Sequence, residues 1–145
     1  MRLRRRLPIA PIFVLLSLFS PGSEAFAEPA LRPCRGAWHA KEVAELLFGR
    51  DISHHLGVSE ADWMRFVARE ITSRFPDGLT VTDAVGQWRD RNTGKIVREA
   101  SKHVEIILPG NPDDEERLEA IAAAYKAAFH QQSVELIVRS ACVAF

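Results

Sequence analysis

The chain has 145 residues, 47% of them hydrophobic, with 19 basic residues balanced by 19 acidic ones. That length fits a single domain, and that apolar content excludes an intrinsically disordered protein. Beyond residue 27 the balance falls to 15 basic against 18 acidic residues, a net of −3, which leaves no basic stripe to follow a phosphate backbone and argues against nucleic-acid binding.

Residues 1–27 read as a cleavable signal peptide. Arg2, Arg4, Arg5 and Arg6 form a basic start, Leu7 to Phe19 is apolar, and Ala25-Phe26-Ala27 fits the small-x-small cleavage rule, so cleavage is expected after Ala27. A membrane anchor is the alternative, but Leu7 to Phe19 carries two prolines and falls short of the ~20 residues that a spanning helix needs. No stable membrane anchor is expected after cleavage. Leu31-Arg32-Pro33 ahead of Cys34 lacks the small residues of lipoprotein processing. The bacterial style of the basic start points to a periplasmic or secreted protein, by a general or a twin-arginine route.

The rest of the chain divides into a Pro-rich tail, 28–37, and one α+β domain, 38–145. Trp38 to Arg50 alternates so that Ala44, Leu46 and Phe48 share one face, which predicts a strand. Helix propensity competes there, and the Phe48-Gly49-Arg50 ending favours the strand. Asp51 to Val58 reads as a loop. Ser59 is an N-cap, with Asp62 in the capping-box position, and Trp63, Phe66, Val67 and Ile71 follow as an apolar helical stripe. Pro76-Asp77-Gly78 ends that helix. Two runs rich in Val, Ile and Thr then flank Asp90 to Gly94, which predicts a β-hairpin over 79–108. Asn111 is expected to cap a second helix with Pro112 as its first residue, and Leu118, Ile121, Ala122, Tyr125 and Phe129 as its buried stripe. Ser133 to Val143 reads as the last strand. The order β-α-β-β-α-β is the ferredoxin-like motif: a four-stranded antiparallel sheet with both helices on one face. Its other face must be solvated, bound to a ligand or buried in a homodimer.

Several residues within this frame match a known set. Leu47-Phe48-Gly49-Arg50, Trp63 with Phe66, Phe75 to Val81, Gly86-Gln87-Trp88-Arg89, Arg98-Glu99 with Ser101-Lys102, and Tyr125 through Phe129 to Val134 together resemble the domain of unknown function 3574 family. Ser73 stands where similar proteins have proline. The resemblance implies a small exported domain and implies no activity.

The second hairpin strand carries charge or polarity on both parities, at Arg98, Glu99, Lys102 and His103. Either a bulge near Ala100 shifts the register, or the strand lines a polar cavity. Arg98, Glu99 and Lys102 are read either as ion pairs along the sheet or as a site for a small polar or anionic ligand. Gly86 permits close backbone approach, and Trp88 offers a flat stacking face, so Trp88, Arg89, Arg98, Glu99 and Lys102 are the expected ligand-binding set around one concavity. His54-His55 has no third partner at a diagnostic spacing, so no metal is expected. His103 is a candidate general base near Glu99 or Glu105. No motif calls for a cofactor. The domain is thus read as a ligand- or partner-binding module using the open face, with a dimeric α+β-barrel enzyme as the alternative. Cys34 and Cys142 are the only cysteines, and antiparallel pairing of the first and last strands would bring them into disulfide range.

Overall fold

The computed structural model describes residues 33–52, 55–90 and 93–145, with the backbone alone at 55 and 56. The predicted signal peptide, His54 and the hairpin residues Arg91 and Asn92 lie outside the described residues. The protein is α+β. Strands β1 (His39–Gly49), β4 (Thr80–Arg89), β5 (Ile96–Ile107) and β6 (Glu135–Val143) form a four-stranded sheet in the order β4-β5-β1-β6, with every pair antiparallel. Helix α1 (Glu60–Phe66), continued by a π-helical turn over Val67–Ile71, and helix α2 (Asp114–Phe129) complete the layer.

The helices cover the face that β1 dictates. Ala44, Leu46 and Phe48 alternate inward and are all fully buried. Leu46 lies opposite Val104 on one side and Leu136 on the other, so the apolar rows of three strands coincide. Onto this row pack Trp63, Phe66 and Ile71 from the first helical segment and Leu118, Ile121 and Tyr125 from the second. Phe48 is central: its ring lies 4.7 Å from that of Tyr125 and 5.2 Å from that of Trp63, in the tilted and edge-on arrangements that aromatic quadrupoles favour. The π turn has a packing consequence. Thr72 N donates to Val67 O at 2.8 Å, and the wider turn returns Ile71 to the apolar face five residues after Phe66.

Three local readings are corrected. Residues 51–58 are not a plain loop: β2 (Asp51–Ile52) and β3 (His55–Leu56) form a short antiparallel ladder. Arg50 closes it, its carbonyl accepting from Gly57 and Val58 N–H and its guanidinium donating to Val58 O at 2.8 and 2.9 Å. Helix α2 begins at Asp114, not at Pro112, because the buried Asp114 carboxylate reaches back to accept from Gly110 and Asn111 N–H, both at 2.8 Å, and holds 110–113 as a turn. At α1, Ser59 Oγ accepts from Asp62 N–H as expected, but its hydroxyl also donates to the Asp62 carboxylate, so the reciprocal half of a capping box is replaced by a side-chain pair.

Cys34 and Cys142 are disulfide-bonded, with their Cα atoms 5.6 Å apart. The β1–β6 register explains the bond: Ala40 pairs with Cys142, and the chain ahead of β1 turns back towards that end of β6.

Candidate functional site

The register of the hairpin decides which residues can act together. β4 pairs with β5 without a bulge, from Thr80 opposite Glu105 to Arg89 opposite Ile96. Trp88 therefore sits opposite Val97, and Gly86 opposite Glu99. The expected set splits. Trp88 and Glu99 lie on the open face, whereas Arg98 and Lys102 lie on the row facing the helices, as does Arg89 by register. The loop expected at Asp90 to Gly94 begins one residue later. Asp90 N–H donates to Lys95 O, so Asp90 and Lys95 still pair and the loop is 91–94, and a one-residue slip exchanges the faces of every side chain.

Lys102 then has a structural place. It is 4% exposed, beneath the start of α1, and its ammonium reaches Glu60 at 3.0 Å and Asp83 at 2.5 Å. Burial pulls its pKa down, but the hydrogen bonds to Asp83 and Glu60 outweigh that and hold the ammonium above its usual value. Arg50 shares Glu60 at 3.1 Å. Two buried cations thus meet two carboxylates, so a chain with charge on both parities of β5 needs no bulge to satisfy it.

The open face has two halves. Across its centre Glu45 lies opposite Glu105, a like-charged cross-strand pair. Arg139 reconciles them, with Nε 2.7 Å from Glu45 and Nη2 3.5 Å from Glu105. The hydrogen bond from Arg139 holds the Glu45 carboxyl below the usual carboxylate range, against burial and with help from the charge of Arg139 and from His103. His103 Nε2 is 3.1 Å from Glu45. The candidate base therefore pairs with Glu45, a residue that the sequence reading did not consider for it.

The other half is concave. A cleft of about 1050 Å³ opens where the hairpin, the end of β1, β2 and the α2–β6 connection converge. Leu47, Gly49, Trp88, Glu99 and Ser101 supply its sheet side. Asp51 and Ile52 close one end, and His130 to Ser133 with Glu135 form the opposing wall. His130 ends α2 in the left-handed region at φ 54°, an uncommon conformation outside glycine, and so turns the chain towards the cleft. Gln131 Nε2 then donates to Asp51 O at 2.8 Å, fastening that wall to β2.

Glu99 is the chemically distinctive group here. Its carboxylate oxygens lie 2.9 Å from where a side chain on Gly49 would begin, and its chain also passes over Gly86, so two glycines make its slot. Desolvation holds the Glu99 carboxyl above the usual range, and the neighbouring Asp51 charge pushes the same way. The Asp51 N–H and the Trp88 indole N–H are near enough to favour the charged form and partly oppose that shift. Trp88 remains 42% exposed on the cleft wall. The sequence reading found Trp88, Glu99 and Gly86 but missed Gly49, Asp51 and Gln131. A glycine at the end of an apolar strand was the available signal for Gly49. Asp51 and Gln131 are joined only by tertiary contact.

The family described as Protein of unknown function (DUF3574) matches residues 43–145. The chain belongs to this family. The matched span holds every residue named above as bordering the cleft and leaves Cys34 outside it. No curated protein matches the sequence. Among solved structures, the chain is similar to a phage SAM lyase in complex with S-methyl-5'-thioadenosine, at 16% identity over 79% of this chain and 95% of that one, with a TM-score of 0.58. A phage SAM lyase in the apo state gives 19% identity, 77% and 87% coverage and a TM-score of 0.54. CutA from Synechococcus elongatus gives 12%, 75% and 81%, and 0.47. At these identities the likeness is one of fold.

Proposed function

We propose that this family member is an exported, ferredoxin-like domain that binds a small polar molecule in the open-face cleft. One observation carries this reading: a titratable carboxyl and an exposed indole are held together on the wall of a large concavity, on a sheet face that the helices leave uncovered. Ligand sites are concave, with a few placed polar groups on otherwise unremarkable walls. The element order and the sheet order support the ferredoxin-like assignment. The disulfide and the amino-terminal pattern support export, with residues 28–37 as a tail ahead of the domain. Among the described residues no helix is long and apolar enough to cross a membrane.

Within this proposal Trp88 and Glu99 touch the ligand, Arg89 borders the cleft at the hairpin end, Arg98 lies exposed on the opposite row, and Lys102 acts from that row by tying α1 to the hairpin through Glu60 and Asp83. The test is extraction of small molecules from protein purified without denaturation from its native host. Mass spectrometry should find a species that leaves with a Gly49→Val variant, whose side chain would fill the Glu99 slot. Equal retention by that variant, shown folded by its melt, would defeat the reading.

The enzyme alternative rests on Glu99 itself. A carboxyl raised by desolvation inside a cleft is suited to proton transfer. A second copy covering the open face would enclose it. The likeness to the phage SAM lyase concerns the fold and brings no activity with it.

A further inference from the structure

The geometry points to an organic cation bearing a flat apolar group as the occupant of the cleft. This rests on the ligand-binding reading above and narrows it to a chemical class. The sequence reading, with Arg98 and Lys102 in the set, allowed for an anion. The register removes both from this face. Among the described residues the cleft is bordered instead by the carboxyls of Asp51, Asp90, Glu99 and Glu135 and by the guanidinium of Arg89. Arg89 lies at the hairpin end of the cleft and directs Nη1 to Gly94 O at 3.3 Å, so carboxyls outnumber guanidinium there. An anion entering here would meet like charge, while a cation would relieve the repulsion between Asp51 and Glu99.

Charge alone would not make a site, and the wall supplies the second element. Trp88 and Glu99 line the same cleft on the same sheet face, and Trp88 leaves 42% of its surface exposed there. A cation paired with Glu99 thus has an exposed indole on the same cleft wall to rest against, and indole is the strongest of the aromatic partners for a cation. Leu47, Ile52 and Val97 add apolar surface on the same cleft. A flat hydrocarbon body on the cationic head uses the indole and that surface together. The volume of about 1050 Å³ leaves room for such a body.

The experiment compares three probes of one shape. Benzamidine, benzamide and benzoate are titrated into the exported protein, followed by the Trp88 indole N–H and the Asp51 backbone N–H in heteronuclear NMR. Benzamidine is expected to shift both signals and to bind at least tenfold more tightly than benzamide, with benzoate producing no shift. Glu99→Gln should weaken benzamidine about tenfold and leave benzamide unchanged. Benzoate binding as well as benzamidine would overturn the cation while leaving the cleft a ligand site, as would indifference of benzamidine to Glu99→Gln. If none of the three moved either signal, the inference and the ligand-binding reading would both fall.

Discussion

At the scale of single residues, Glu99 and Glu45 are carboxylates shifted in opposite directions by their surroundings. Glu99 is raised, chiefly by desolvation. A group raised on folding adds stability below its unfolded pKa and loses it as the pH rises through its folded value. The ionised form therefore burdens the fold near neutrality. Glu99→Gln is expected to raise the melting temperature near neutral pH, and the gain should vanish below the carboxylate range. A gain that persisted in acid would mean that charge is not its source. Glu45 is lowered, chiefly by its hydrogen bond from Arg139. Its contribution is present above the unfolded pKa and is lost as the pH falls through the lowered folded value. Arg139→Met should thus melt earlier near neutrality, with the gap closing in acid. A gap constant with pH would assign Arg139 a packing role through its stem.

At the scale of elements, the prediction concerns where the helices press on the sheet. Phe48→Ala should cost about 3–5 kcal/mol, because Phe48 is fully buried among three other rings. Phe129→Ala should cost clearly less, since Phe129 is only half-buried at the edge of the cluster. Denaturant melts of the two variants check the order, and a reversed order would relocate the centre of the core. The strands were legible because alternation survives in β1 and β6 and because the turn residues flank the hairpin. The hairpin register was not, since the turn length at Asp90 to Lys95 is set by a backbone pair that no residue type announces. That one residue sent Arg98 and Lys102 to the wrong face. The β2–β3 ladder was too short to have a period, and its anchor, Arg50, reads as an ordinary surface residue until Val58 is placed beside it. Trp88 and Glu99 were found because a large aromatic and a charge near a strand glycine are unusual. Asp51 and Gln131 needed the fold.

At the scale of the molecule, the disulfide joins residues 108 positions apart and closes nearly the whole domain into one loop. In the chain-entropy account a loop of about 100 residues is worth about 4.7 kcal/mol. Replacing both Cys34 and Cys142 by alanine should remove most of that. Chemical denaturation with and without the pair measures it, and a loss under about 1 kcal/mol would mean the reduced unfolded chain is already compact.

The same bond decides how the protein bears load. The two cysteines flank the sheet with their Cα atoms 5.6 Å apart, so tension applied outside them runs through sulfur and bypasses the strands. Held by its ends in an optical trap, the oxidised protein should lengthen hardly at all before the handles yield. Adding a thiol reductant would let the enclosed chain pay out, by roughly 3.6 Å for each residue released. A protein built this way is a rigid link while its bond is intact and a long tether once it is reduced.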